Sequence, residues 1–329
     1  MAIALVEEAV LNGLELRLNE EVLDIKKENK KFLVKTSECE YEAKYVVNAA
    51  GVFADDIYAM VLGKAPDFSI TARRGEYYVL DKQEKPVVNR IIYPVPGATG
   101  KGILVVPTVY GNVLLGPNSE SIDDKTANCT TSDALATVKK GVNKTVSNIP
   151  FDKVIRTFAG LRATGSTGDF VIGQSEEVPG FVNVACIESP GLASAPAIAE
   201  YVMNEIMGQE WNFANKQDYI HRKPYLRMEN LSNEEKNKVI KENPDFGDIV
   251  CRCENISRGE IRQVINAPAG ASTVKGVKKR ISPGFGRCQG GFCEPLVVEI
   301  LSKELGIPMT EVRLDSKKSV ILTDRTKSV

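Results

Sequence analysis

Cys251-Arg252-Cys253 and, after 34 intervening residues, Cys288-Gln289-Gly290-Gly291-Phe292-Cys293 place four cysteines within 43 residues of a 329-residue chain. The other three, Cys39, Cys129 and Cys186, stand alone. An odd total with this clustering argues against a disulfide framework and for a metal centre in a reducing compartment. Four thiolates can hold a zinc ion or an iron–sulfur cluster. Paired zinc ligands usually have two or more residues between them, so the Cys-x-Cys pair, with one, favours the cluster. Between Cys251 and Cys293 lie eight Lys or Arg against two Glu. That positive surround would stabilise an anionic 2Fe–2S centre and raise its potential.

The flanking sequence supplies short helices. Ser257 and Glu260 form a capping box before Ile261, Val264 and Ile265. Pro295 opens a helix with Leu296, Val297, Ile300, Leu301 and Leu305 on one side, and Gly306 stops it. The second cysteine pair is therefore expected at a helix N-terminus, where backbone N–H groups can reach thiolates. Residues 249–307, and Gly286-Arg287-Cys288-Gln289-Gly290-Gly291-Phe292-Cys293 above all, resemble the bacterioferritin-associated ferredoxin-like 2Fe–2S domain. The resemblance implies Cys251, Cys253, Cys288 and Cys293 as the metal ligands.

Outside this module the composition is that of a globular protein, 43% hydrophobic and 26% charged. The length predicts two or three domains. A net charge of −1 gives no global field toward nucleic acid or membrane. No apolar run approaches the ~20 residues of a membrane span. Glu7 and Glu8 come early and no basic residue precedes them, which argues against a signal peptide. The expected location is cytoplasmic, with membrane association only through a partner.

The chain reads from helix into strands. Residues 3–12 are predicted helical up to Gly13. Leu14–Leu18, Glu21–Lys26 and Lys31–Thr36 alternate as strands do. Tyr45-Val46-Val47-Asn48-Ala49-Ala50-Gly51 is a buried strand running into small residues, the form that lets a ligand approach the backbone. Glu76–Leu80, Ile103–Pro107 and Asn112–Leu115 predict an antiparallel sheet. A helix is predicted over 132–148, begun by Ser132 or Asp133. Phe181–Ala185 is a further buried strand, and Leu192–Met207 a helix ended by Gly208. Residues 209–248 read as a polar connector. Gly97–Gly102 fails as a nucleotide loop. Val95 stands where the first glycine is required, and Gly102 where Ser or Thr should follow the lysine.

In order along the chain come Val46–Val52, Arg74-Gly75-Glu76-Tyr77-Tyr78, Gly111–Pro117, Ala159-Gly160-Leu161-Arg162-Ala163 and Ser189–Pro196. This series resembles the D-amino-acid oxidase superfamily of FAD-dependent oxidoreductases, on the glycerol-3-phosphate dehydrogenase and 2-hydroxyglutarate oxidase branch. The resemblance spans about residues 1–206. It implies an α+β / α/β fold: a partial FAD-binding Rossmann-like domain, an antiparallel substrate-domain sheet and a small helical 2Fe–2S domain. The boundaries expected are 1–55 and 151–208 for FAD binding, 56–150 for the substrate sheet, 209–248 for the connector, 249–307 for the cluster and 308–329 for a tail. It implies Val22, Ala50, Gly51, Asp169, Gly173, Gly191 and Leu192 as FAD-binding residues. The helix opening at Gly191 would point its N–H groups at the flavin edge that becomes anionic on reduction. Arg162 is implied as the anchor for a substrate carboxylate or phosphate, with Arg74 in the same pocket.

One departure stands out. The family's strand, G-x-G-x-x-G turn and helix for the FAD pyrophosphate have no counterpart in this sequence. The expectation is a fragment, or half of a split enzyme whose partner chain supplies that unit. The only histidine, His221, falls in the connector and is expected at the surface, so no general base is assigned. The activity implied is FAD-dependent dehydrogenation of a small anionic substrate such as glycerol 3-phosphate. Electrons would leave through the 2Fe–2S cluster to an acceptor protein or a quinone-linked subunit. The alternatives are a 2-hydroxy-acid or amino-acid dehydrogenase and a non-catalytic electron-transfer or docking subunit.

Overall fold

A computed structural model describes residues 1–95, 102–208 and 214–324. The loop reading of Gly97–Gly102 therefore lies almost wholly outside the described residues. The chain divides into two compact units. One is Glu20–Asn215; the other joins Met1–Asn19 to Lys216–Val329. The first helix, α1 (Ala2–Leu11), thus belongs with the C-terminal residues.

In the unit Glu20–Asn215, β1 (Val22–Glu28), β2 (Lys31–Thr36) and β3 (Glu40–Ala43) form an antiparallel sheet in chain order. Asn29, at φ 55, makes the tight β1–β2 turn, which needs the left-handed backbone that asparagine tolerates. Next come β4 (Val46–Asn48) and α2 (Ala54–Leu62), then the long β5 (Ile70–Leu80), β6 (Leu104–Pro107), β7 (Val113–Gly116) and β8 (Glu120–Ile122). After α3 (Ser132–Val142) the chain returns as β9 (Val154–Gly165), β10 (Val171–Gln174) and β11 (Phe181–Ala185), and ends in α4 (Gly191–Tyr201). Strands β6-β7-β5-β8 are neighbours in that order, and β9 also pairs with β5, in one antiparallel sheet. A third sheet has the order β10-β11-β4, with β11 and β4 parallel.

Each layer has its own core. Phe32, Tyr58, Phe68 and Phe181 fill one cluster, and Tyr58 stacks on both Phe68 and Phe181. Leu80, Val105, Leu115, Val138 and Val142 fill another, which seats α3 on the antiparallel sheet. Helix α3 is shorter than the sequence suggested, and its cap is Thr131, whose hydroxyl accepts from the Ala134 N–H. The Glu76 carboxylate, fully buried, accepts from the Thr131 N–H and hydroxyl. That bond fixes where the helix can begin.

Two further expectations are corrected. Leu14–Leu18 forms no strand; its alternation has no neighbouring strand to pair with, and Leu14, Leu16 and Leu18 are exposed. The helix over Leu192–Met207 changes geometry at Val202, where Val202–Met207 continue in the wider π form. Gly208 keeps a right-handed φ of −67 and makes no left-handed cap.

In the other unit, α5 (Asn233–Glu242) precedes the ribbon of β12 (Ile249–Cys251) and β13 (Ile256–Ser257). Helices α6 (Arg258–Ile265), α7 (Val274–Ile281) and α8 (Glu294–Leu305) pack around Ile261, Val264, Val277, Ile281, Val297 and Leu301. The core reaches past residue 307: Val312 is fully buried in it, with Leu314 and Ile321 against it. It also draws on residues before 249. Met228 is buried, its N–H donating to Glu260, and Arg227 pairs with the same carboxylate at 3.3 Å.

Helix α1 is held here by one buried charge. Glu7 is 1% exposed and meets Arg222 at 3.1 Å and Arg280 at 3.5 Å, with the Tyr225 hydroxyl donating to it. Removing one partner of a buried charge cluster leaves the others uncompensated. We expect Glu7→Ala to destabilise this unit by about 3–5 kcal/mol, read as a lowered thermal midpoint. A change below about 1 kcal/mol would show the cluster to be solvated.

Candidate functional site

The cofactor residues implied by the sequence, Val22 apart, gather at one edge of the β10-β11-β4 sheet. Strands β4 and β11 run parallel, with Asn48 opposite Asn183, and the two side chains hydrogen-bond at 3.0 Å. Both strands exit at their C-terminal ends, the side where ligands bind in open parallel sheets. Strand β4 exits into Ala50 and Gly51, and β11 into the loop that ends at Gly191 and Leu192. Strand β10 runs the other way, with Val171 opposite Ala185, so Asp169 starts it at that same edge. Gly173 lies two rows in, opposite Asn183. Val22 opens β1 in a different sheet, packed against the Phe32–Phe181 core.

These residues fit a flavin on two observations. A Cβ built on Gly173 would meet no protein atom within 4 Å, so that glycine is not required by packing against protein, whereas Gly51 is accounted for by its φ of 59. Helix α4 buries only Gly191 among its residues, and Leu192 is 71% exposed. The positive end of the α4 dipole follows the end of β11 after a five-residue loop, 186–190.

The antiparallel sheet carries Arg162. In the β5–β9 register Arg73 lies opposite Arg162, Gly75 opposite Gly160, and Tyr77 opposite Phe158. Residues directly opposite one another share a face, and side chains two apart share it too. Arg73, Gly75, Tyr77, Phe158, Gly160, Arg162 and Thr164 therefore point to one side. Tyr77 and Phe158 stack at 4.7 Å between centroids, and burial raises the Tyr77 hydroxyl above its usual range, which keeps it a neutral donor. Arg162 lies over Gly75 and donates to the Asn118 carbonyl at 3.0 Å. Glu188 accepts from the Thr164 hydroxyl at 2.8 Å and stands 3.9 Å from Arg73. Glu188 is three residues before Gly191, so the arginine face adjoins the loop leading into α4.

Arg74 does not share this face. It pairs with Leu161 across the strands, points to the opposite side and is 7% exposed. There it is engaged by Glu76 at 3.1 Å and Glu120 at 2.9 Å. Arg74 was expected beside Arg162, but the register puts Arg73 on the Arg162 face instead. Two adjacent arginines in a strand must face opposite ways, and only the register says which faces which. Glu188 and the Tyr77–Phe158 pair were missed for the same reason.

Gly75 gives a direct handle. A Cβ there would fall 2.4 Å from the Arg162 guanidinium and 2.9 Å from the Pro117 Cβ. We expect Gly75→Ala to displace Arg162 and raise KM about 10-fold, the scale of one charged hydrogen bond, with flavin content unchanged. An unaltered KM would remove Arg162 from the substrate site.

The four cysteines form two pairs. Cys253 and Cys288 have their sulfurs 3.7 Å apart; Cys251 and Cys293 are in hydrogen-bond contact. Two thiolates on one tetrahedral metal with ~2.3 Å bonds stand about 3.8 Å apart, so the outer pair already has the spacing for one iron. Among the described residues no three His, Cys, Asp or Glu converge on a single ion. Two pairs suit a two-iron cluster better than one zinc ion. Hydrogen bonds favour the thiolate at one cysteine of each pair. The Cys293 thiol, then the N–H groups of Gly284 and Glu254, pull Cys251 down to about 6 against its burial. The N–H groups of Gly290 and Phe292 lower Cys288. Cys293 ends as the N-cap of α8, as expected, and the Ser257–Glu260 capping box is present. Close approach explains Gly286, where a Cβ would fall 2.3 Å from that of Cys253.

His221 is exposed and bonds Glu8 at 2.9 Å. No helix among the described residues is long and apolar enough to cross a membrane.

Residues 1–204 match the family described as FAD dependent oxidoreductase, and residues 249–303 the BFD-like [2Fe-2S] binding domain. A glycerol 3-phosphate dehydrogenase of Caloramator mitchellensis is 45% identical over 327 residues, covering 99% of this chain and 68% of that protein. The FAD-bound L-alpha-glycerophosphate oxidase of Mycoplasma pneumoniae superposes with TM-score 0.61 at 30% identity, over 67% of this chain and 58% of its own. The FAD-bound glycerol-3-phosphate dehydrogenase of Bacillus halodurans shares the fold, with TM-score 0.68 at 15% identity over 93% of this chain and 68% of its own. The chain thus spans about two thirds of the Caloramator protein. With the glycine-exit sheet edge and the paired cysteines on the same chain, this protein belongs to the FAD-dependent oxidoreductase family and carries a C-terminal BFD-like 2Fe–2S domain.

Proposed function

We propose that the chain acts as an FAD-dependent dehydrogenase of glycerol 3-phosphate that delivers electrons through its 2Fe–2S domain to an external one-electron acceptor. The observation that carries the substrate class is the placement of Arg73 directly opposite Arg162 on one face. Like charges opposite one another in a sheet repel. Here a single carboxylate, Glu188, stands 3.9 Å from Arg73, and a backbone carbonyl meets Arg162. A phosphate dianion would neutralise both guanidinium groups with fork-like hydrogen bonds. A 2-hydroxy acid or an amino acid presents a carboxylate of single charge at that point, so the pair favours the phosphate ester.

Bound FAD would accept hydride at N5, and a bound cluster would carry the electrons onward singly. The chain's own residues do the positioning. Arg162 and Arg73 hold the phosphate. The Tyr77–Phe158 stack walls one side against water, Gly75 makes room for the Arg162 guanidinium, and Gly160 leaves open space beside it. Thr164 and Glu188 tie this face to the loop before α4, whose N-terminus favours negative charge at the sheet edge.

The test compares kcat/KM for glycerol 3-phosphate, L-2-hydroxyglutarate and glycerol on the flavin-loaded protein. Glycerol 3-phosphate should lead, and Arg73→Ala should narrow its advantage over glycerol by about 10-fold. A preference for the hydroxy acid, unaffected by Arg73→Ala, would overturn the substrate reading.

A further inference from the structure

The two cysteine pairs differ in depth. Cys251 and Cys293 are 1% and 2% exposed, whereas Cys253 is exposed and Cys288 half-buried. A cluster held by all four therefore has a buried end and an open end. The open end has an unusual rim. Phe292 is 84% exposed although its backbone N–H bonds the Cys288 sulfur, so its ring is held in solvent beside a ligand. Phe285 is 45% exposed, with the Lys278 ammonium 4.6 Å from its ring centroid. Arg252 and Arg287, each adjacent in sequence to a ligand, are exposed as well, while Glu254 and Glu294 are only half-buried.

Exposed aromatic rings flanked by arginines are the composition of interface centres, where aromatic residues and Arg are enriched. Their position at the open end of the ligand set assigns the traffic. We propose that the Phe285–Phe292 rim is the docking surface for a small acidic redox protein, which takes electrons one at a time from the Cys253–Cys288 end. Its expected face is an apolar centre bordered by carboxylates, steered in by the surplus of Lys and Arg. In each transfer the reduced cluster gives up one electron and becomes diferric, and the acceptor gains that electron. No bond is made or broken. The proposal rests on the reading that electrons leave through this domain, and not on the identity of the substrate.

The experiment uses the full chain with its cluster, reduced by dithionite and freed of excess reductant. Its reoxidation is followed by stopped flow with rubredoxin as acidic acceptor and cytochrome c as basic acceptor. Rubredoxin should react faster at low salt, slowing about 10-fold as ionic strength rises. Reversing both arginines (R252E with R287E) should cut the rubredoxin rate about 10-fold, remove its salt dependence and speed cytochrome c. Phe292→Ala should slow rubredoxin several-fold. The visible and EPR spectra and the midpoint potential of each variant check that the cluster is intact. If the arginine variant fails to hold a cluster, Phe292→Ala and the salt dependence decide alone. A faster reaction with cytochrome c at low salt, or a rubredoxin rate indifferent to these changes, would overturn the proposal. Because dithionite replaces the substrate, failure here leaves the substrate reading untouched, and failure of glycerol 3-phosphate as substrate leaves this result standing.

Discussion

Replacing Arg162 with alanine should raise KM for glycerol 3-phosphate about 10- to 150-fold, the equivalent of roughly 1.5–3 kcal/mol for a hydrogen bond to a charged group. The change removes one arm of a two-arginine clamp, so Arg162→Lys should recover only part of the loss. An ammonium keeps the charge but not the planar fork. The pattern across three arginines is sharper than any single value. Arg73→Ala should act in the same direction as Arg162→Ala, because both point to one face. Arg74→Ala should act mainly on stability, because its partners are Glu76 and Glu120 on the other face. Steady-state kinetics with thermal melts on the same samples reads both. An Arg74→Ala variant with impaired KM and normal stability would reverse the face assignment.

The second large effect concerns the cluster. Ligand binding that completes a fold contributes its free energy to folding. Cys251 and Cys293 belong to the same buried core as Ile261, Val277 and Leu301. Stripping the cluster with a chelator, or introducing Cys293→Ser, should therefore lower the melting transition of this unit by about 10 °C or more, given roughly 3–5 °C per kcal/mol in a unit of this size. Cys288→Ser should also abolish the cluster but add less strain to the apo fold, since that sulfur lies nearer solvent. Calorimetry with iron and sulfide assays on the same samples distinguishes these effects. Equal stability of loaded and stripped protein would mean that the four cysteines are already satisfied without the cluster.

Much of this was legible in the sequence because the determinants are local. Cysteine spacing, the Ser257–Glu260 box and the Pro295 helix start are read within a few residues, and all three stand in the fold. The Phe181–Ala185 strand was legible as a buried run; Val46–Asn48 is a strand as read but not a buried one, since Val47 is 46% exposed and only Asn48 is buried. What escaped depends on partners far along the chain. Whether Arg73 or Arg74 shares the Arg162 face is set by pairing with β9, almost ninety residues away. Glu7 reads as a solvated charge on an amphipathic helix, yet its partners Arg222 and Arg280 come from the other end of the chain. Val312 is an isolated valine among polar neighbours, and its burial follows from the helices it meets. Leu14–Leu18 has the alternation of a strand but no strand beside it.

The central claim is that substrate oxidation and a 2Fe–2S cluster belong to one electron path. Its most direct test is anaerobic addition of glycerol 3-phosphate to protein assayed for flavin, iron and sulfide, followed by optical and EPR spectroscopy. The account predicts two irons and two sulfides per chain, flavin bleaching, and the signal of a reduced cluster appearing in the same sample. A cluster that dithionite reduces but that stays oxidised while glycerol 3-phosphate fully bleaches the flavin would contradict it.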